Sequence, residues 1–140
     1  MSIEENKAIA CKFVQAMSDS DVAAFASVIS DDIVMQTMGS SVMSRKRTKE
    51  GMAEVYRTIL TGCPNGVTLE IKSVTAEDDR VSVEVQGSAM TASGRSYNNQ
   101  YHFLFVMRDG KVRELREYAD TKLLEETFGP LLKADPTLKA

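Results

Sequence analysis

The stretch 97–120, Y-N-N-Q-Y-H-F-L-F-V-M-R-D-G-K-V-R-E-L-R-E-Y-A-D, constrains this chain more than any other. Aromatic and β-branched residues run on both sides of Asp109-Gly110, a dipeptide that favours a tight hairpin turn. Two registers are open. With a two-residue loop, Arg108 faces Lys111 and His102 faces Glu117. With Arg108-Asp109-Gly110 as a type I turn closed by a left-handed glycine bulge, Met107 faces Lys111 and Tyr101 faces Glu117. The sorting of apolar residues favours the second. One face then carries Tyr101, Phe103, Phe105, Leu115 and Ala119 around a single carboxylate, Glu117. Gln100, His102, Glu114, Arg116 and Tyr118 fall on the other. A slip by one residue would scatter both sets, which a half-buried sheet tolerates badly.

The chain before this hairpin starts helical and then changes period. Over residues 3–17, Ile9, Phe13, Met17, Ala10 and Val14 form one apolar stripe. Ser18 to Asp21 supply a stop and the next N-cap. A short second helix is expected to bury Val22, Phe25, Ala26 and Ile29. Residues 33–38 read as a strand and 39–47 as a loop. Thr48 caps a third helix with Met52, Val55, Tyr56 and Ile59 on one side, broken at 62–66. From Val67 the spacing is two. Val67, Leu69 and Ile71, then Val81, Val83 and Val85, mark half-buried antiparallel strands. Gly87 within such a strand points to a bulge or a bend. Leu123, Leu124 and Phe128 fit a last short helix stopped by Gly129-Pro130, with 131–140 as a loosely held tail. The fold class is α+β, a cone-shaped α+β barrel with three N-terminal helices on a curved antiparallel sheet. Residues 1–130 form one domain, and the cone leaves a cavity for a small apolar ligand.

Totals narrow the function further. With 43% hydrophobic and 26% charged residues the composition is that of a globular domain,. A net charge of −3 gives no reason to expect nucleic acid or an anionic membrane as partner,. No apolar run reaches membrane-spanning length and no secretory leader is visible, so a cytoplasmic protein is expected. Cys11 and Cys63 stand apart from any CxxC or His-rich companion and read as reduced thiols rather than a disulfide or a metal site. There is no phosphate-cradling loop, zinc spacing or serine-nucleophile elbow, and no cofactor is expected. Arg45-Lys46-Arg47, with Lys49, reads as a solvated basic loop.

K-F-V-Q-A-M, D-D-I-V-M-Q-T-M and G-R-S-Y-N-N…D-G-K-V…R-E-Y-A-D, with the order of elements, resemble the SnoaL-like branch of the nuclear-transport-factor-2-like superfamily over residues 3 to about 130. Its relatives include ketosteroid isomerase, polyketide cyclases and limonene-1,2-epoxide hydrolase. The resemblance implies the cone fold and leaves the reaction open, since one fold hosts many activities. The isomerase's general base falls at Thr37, and its oxyanion-hole tyrosine and aspartate fall at Phe13 and Tyr101. The hydrolase's Asp-Arg-Asp set falls on Gly87, Val85 and Glu117, and its water-holding tyrosine and asparagine on Met35 and Thr37. Only one carboxylate survives, which argues against that epoxide-opening mechanism.

Glu117, among Leu115 and Ala119, is the candidate proton carrier, because a desolvated carboxyl titrates closer to neutrality. A salt-bridged glutamate at the sheet rim is the competing reading. Tyr101 is the candidate donor to a substrate oxygen. Asn99 and Tyr56 would add polar contacts, and Phe13, Met17, Met35, Thr37, Val85 and Phe103 complete the expected lining with Leu115 and Ala119. His102 would point away from the cavity, whereas the two-residue loop would make it the partner of Glu117. Arg116, Tyr118 and Asp120 are expected in a salt bridge or a homodimer contact on the outer sheet face. The chain therefore reads as a small cofactor-independent isomerase, lyase or cyclase acting on an apolar cyclic or aromatic molecule. The alternative is a non-catalytic ligand-binding or dimerisation module.

Overall fold

The computed structural model describes residues 1–134, the side chains of 133 and 134 excepted. Helix α1 (Ile3–Ser18) begins where the Ser2 hydroxyl accepts the Glu5 N–H at 3.1 Å and buries Ala10, Phe13 and Val14. Asp21 caps α2 (Val22–Ser27) by accepting the Ala24 N–H at 3.0 Å. Strand β1 (Ile29–Thr37) and the two-residue β2 (Lys46–Arg47) lead to α3 (Lys49–Gly62), capped by Thr48. Then follow β3 (Thr68–Glu77), β4 (Arg80–Met90), β5 (Ser96–Arg108), β6 (Lys111–Ala119) and α4 (Thr121–Ala134).

The strands form a curved, unclosed sheet in the order β2-β1-β6-β5-β4-β3. The sheet is mixed rather than wholly antiparallel: β1 runs parallel to β6, with Thr37 beside Glu117, and the other neighbours are antiparallel. A parallel neighbour needs a long crossover, which everything from α3 to β5 supplies. The larger core lies between α1 and the sheet, where Phe13 packs on Phe25 and edge-on to Phe105 with ring centroids 4.8 and 5.1 Å apart. A second cluster joins Met43, Cys63, Tyr97, Leu124, Phe128 and Leu132 under α4. Among the described residues no helix is long and apolar enough to cross a membrane.

The hairpin at 109–110 takes neither of the two expected registers throughout. Arg108 faces Lys111 across a two-residue turn, with Asp109 and Gly110 at φ 52° and 76°. Further along, the pairs are Val106 with Glu114, Phe103 with Glu117 and Tyr101 with Ala119. Arg113 is the surplus residue, a bulge in β6 between Val112 and Glu114,. The expected facing of Tyr101 with Glu117 is thus corrected to a diagonal one. The division between faces survives, because the bulge shifts the pairing by a whole two-residue period from the three-residue-loop register.

Four further expectations are corrected. Val22 and Ala26 are exposed, Val22 at 66%, because α2 fronts the mouth of a cavity instead of a packed core. Of the bulge or bend expected at Gly87 the bulge is excluded, since β4 pairs with β5 without a break; the irregularity lies in β3, between Ile71 and Ser73. Gly129-Pro130 does not stop α4, which runs to Ala134. Proline inside a helix costs about 3 kcal/mol, and the burial of Phe128 and Leu132 on either side of it offsets that cost,. Of the expected tail, 131–134 are therefore helical, and 135–140 lie outside the described residues.

Gly87 has a different reason to be glycine. A Cβ there would come within 2.6 Å of Cε2 of Tyr101 and 3.2 Å of the Asn99 carbonyl oxygen. The missing side chain is the space that the Tyr101 ring occupies. Gly87→Ala is expected to destabilise the fold by about 1–3 kcal/mol through overpacking, measured as a lower urea midpoint at unchanged slope; an unchanged midpoint would contradict this packing.

Candidate active site

Three neighbouring strands and one turn bring the polar groups together. Across the sheet, Thr37 of β1 pairs with Glu117 of β6, and Glu117 with Phe103 of β5. The Met38 N–H donates to the Glu117 carbonyl at 2.9 Å and fixes the end of β1 against β6. On the other side of β1, Arg47 pairs with Met35. These residues surround a cavity of about 370 Å³ between the sheet and the helices, a size suited to one small organic molecule. Phe13 and Met17 from α1, Val22 and Phe25 from α2, Met52 and Tyr56 from α3, and Leu124 and Phe128 from α4 form the remaining wall. Met17, Met35, Met43 and Met52 all line it, and methionine adapts to guests of varied outline,.

Glu117 is 8% exposed. Loss of water around the carboxylate pushes its pKa up from 4.5 to about 7, against the opposing pull of the Arg47 charge and a hydrogen bond with the Thr37 side chain,. It is a buried acid whose proton is held toward neutrality, not a solvated partner at the sheet rim.

Arg47, 6% exposed, was hidden in what reads as a solvated basic loop. Its Nη1 donates to Thr37 Oγ1 at 3.4 Å and to the Arg45 carbonyl at 3.5 Å, and its Nη2 donates to the Met43 carbonyl at 3.2 Å. Burial pulls its pKa down and the Glu117 charge pulls it back up. No local pattern distinguishes Arg47 from Arg45 or Lys46; only the pairing of β2 with β1 turns it inward.

Tyr101 sits diagonally across from Glu117 on the same face. Its hydroxyl lies 2.6 Å from that of the fully buried Tyr97, and Asn99 Nδ2 donates to Tyr97 Oη at 3.0 Å. Asn99 is itself oriented by β6: its Oδ1 accepts the Asp120 N–H at 3.1 Å, and its Nδ2 also reaches the Asp120 carbonyl at 3.2 Å. Either phenol can donate in this pair; when Tyr97 donates to the Tyr101 oxygen, the Tyr101 proton is left for a guest,. Burial raises both phenol pKa values, so both remain protonated donors at neutrality. Tyr97 was legible as a partner, since Tyr97, Asn99 and Tyr101 alternate onto one face. Tyr56 also lines the cavity, and its buried hydroxyl has no hydrogen-bond partner among the described residues.

Of the sequence candidates, Glu117, Tyr101, Tyr56, Phe13, Met17, Met35, Thr37 and Phe103 stand on the cavity wall. Four do not. Asn99 is spent on Tyr97 and Asp120; Val85 and Leu115 are sealed in the core; Ala119 packs against the second cluster. His102 is on the outer face opposite Tyr118, their rings 6.4 Å apart, and Arg116 pairs there with Glu114 at 3.1 Å.

A helix-backed sheet closing on a buried acid and phenol defines a small-molecule pocket domain. The chain belongs to the SnoaL-like domain family, whose sequence model matches residues 10–115. Similar solved structures include AclR of Streptomyces galilaeus, a candidate hydroxylase, at 23% identity over 99% of this chain and 98% of that one, with a TM-score of 0.76. IdmH of Streptomyces antibioticus, a candidate polyketide cyclase, aligns at 16% identity over 89% and 98%, with a TM-score of 0.73. An NTF2-like protein of Burkholderia xenovorans aligns at 24% identity over 91% and 98%, with a TM-score of 0.72. At these identities the likeness establishes the fold. No curated protein matches the sequence.

Because folding raises the Glu117 pKa from 4.5 to about 7, its contribution to stability is fully present below the unfolded value. It is lost as pH rises through that window, about 3 kcal/mol in all. Glu117→Gln, which stays neutral, is expected to match the parent near pH 4 and to exceed its unfolding free energy by about that amount above pH 7. A difference that does not change between pH 4 and 8 would contradict the raised pKa.

Proposed function

We propose that this protein is a cofactor-independent acid/base enzyme of the isomerase, lyase or cyclase type, working on an apolar cyclic or aromatic small molecule. The observation that carries the reading is a buried carboxyl, its pKa raised by burial to about 7, on the wall of an apolar cavity and diagonal to the Tyr101 phenol, whose proton can turn to a guest when Tyr97 donates to it,. Glu117 as carboxylate takes a proton from a carbon next to a carbonyl. The released electron pair moves onto the carbonyl oxygen, and the enolate oxygen takes a hydrogen bond from Tyr101. Glu117, now protonated, returns the proton to a different carbon, or to a leaving oxygen, and is restored to its starting state. A carboxyl near its own pKa at neutral pH serves both halves of that cycle. Tyr56, with its unpaired hydroxyl, would orient a second oxygen of the guest. A cytoplasmic setting accords with two free thiols, Cys11 and Cys63,.

A passive binding domain of the same fold is the competing reading, favoured by a single buried carboxylate on the cavity wall, the other, Asp21, being exposed and engaged in the cap of α2. 2-Naphthol separates the two, since its own hydroxyl stays protonated throughout the neutral range and its fluorescence reports binding. Under the enzyme reading its affinity changes through a titration near pH 7 that Glu117→Gln abolishes, and on any substrate found Glu117→Gln lowers kcat by a factor of about 10²–10⁴. Binding independent of pH, or unchanged turnover in Glu117→Gln, would remove the proton-transfer role.

We further propose that two copies meet across the outer sheet face, where Tyr118 is 44% exposed beside His102 and the Arg116–Glu114 pair. Tyr118→Asp is expected to convert a dimer into a monomer in sedimentation equilibrium. A parent protein that is monomeric at the same concentration would contradict this.

A further inference from the structure

Arg47 is unusual in this molecule. Among the described residues it is the cation buried to 6% exposure, and it stands on the cavity wall. Its recorded hydrogen bonds run to two backbone carbonyls and one hydroxyl, all neutral, and occupy at most three of its five N–H groups,. The carboxylate acting on it is Glu117, on the same wall. A buried guanidinium needs a compensating negative charge in its surroundings. Glu117 gives that charge only in part near neutrality, because desolvation favours its protonated form. While it is protonated, the cavity holds an uncompensated positive charge among apolar walls.

We propose that the natural guest is a hydrophobic monoanion, a carboxylate or enolate on a cyclic or aromatic body, whose anionic oxygens dock on Arg47 while Glu117 takes up a proton. This inference rests on the acid/base reading of the same cavity and adds the charge of the guest. The anion replaces the Glu117 charge as the counter-ion of Arg47, so the buried pair stays neutral overall, and the guanidinium can meet two oxygens in its plane. Other charged groups on the wall leave this balance intact. Lys49 of α3 is tied to Asp31 at 3.0 Å, Asp21 is spent on the cap of α2, and Arg57 is on the exposed side of α3. The face of α1 contributes Phe13, Ala16 and Met17, with no charge, and β5 contributes Tyr101 and Phe103, both neutral. The bound state therefore contains Arg47 cationic, the guest anionic and Glu117 protonated, so with such a guest the proton cycle is entered at its donating half: Glu117 first gives its proton to a carbon or leaving oxygen of the guest, and the carboxylate so formed then takes a proton back from another carbon.

The test compares 2-naphthoate with its neutral counterpart 2-naphthamide by titration calorimetry at pH 7, in two buffers of different ionisation enthalpy. On the parent protein naphthoate is expected to bind at least about tenfold more tightly, with net proton uptake on naphthoate binding and none for naphthamide. Arg47→Met is expected to equalise the two ligands, and Arg47→Lys to keep part of the preference, having the charge without the planar fork. Glu117→Gln is expected to keep the preference and lose the proton uptake. That result supports the anion site even if turnover shows Glu117 to have no catalytic part. The proposal is overturned if the two ligands bind the parent equally or neither binds at millimolar concentration. It is overturned equally by a preference that persists in Arg47→Met, or by naphthoate binding without proton uptake, a readout that requires no variant to fold.

Discussion

One surplus residue in β6 decides what the cavity contains. Val112 and Leu115 are both buried, three positions apart, which strict alternation along a strand does not allow,. The bulge at Arg113 absorbs the odd residue, so Val112 packs near the turn while Leu115 and Glu117 still face inward further along,. Without it, the strand would have to send either Val112 to solvent or Glu117 to the outer face. The same insertion sets Phe103 opposite Glu117 and Tyr101 opposite Ala119, so the acid and the phenol lie diagonally to each other on one face.

From that placement the electrostatics follow. The acid is surrounded by Phe103, Met35 and the helix-borne apolar wall, and desolvation outweighs the nearby guanidinium,. The phenol side of the site is built differently, by hydrogen bonds in series. The Asp120 backbone holds Asn99, Asn99 holds Tyr97, and Tyr97 holds Tyr101, whose ring lies in the space left by Gly87. The phenol is thus fixed by groups that do not themselves line the cavity. This is the arrangement expected of preorganised donors, which need no reorganisation when charge develops on a guest.

Much of this was legible in the residues. The apolar stripe of α1, the caps Asp21 and Thr48, and the alternation in β3 to β6 follow from local rules, and the inward set around Glu117 follows from the parity of β5 and β6. What was not legible depends on partners distant in sequence. Arg47 looks like its neighbours until β2 pairs with β1. The turn at Asp109-Gly110 obeys the simple two-residue rule, but the Arg113 bulge is selected by burial of Val112 and Leu115 together, which no turn rule contains. Gly129-Pro130 is a valid stop signal locally, and tertiary burial of Leu132 overrides it. Asn99 has the right parity for the cavity and is withdrawn from it by Asp120, a neighbour only in three dimensions.

All of the functional reading depends on a carboxyl that is still part protonated at neutral pH. The most direct measurement is a pH titration of the Glu117 side-chain carboxyl by carbon-13 NMR, its resonance assigned by its loss in Glu117→Gln. A midpoint near 7 is predicted, set by burial against the pull of Arg47. A midpoint close to 4.5, the value of a solvated glutamate, would contradict the account,.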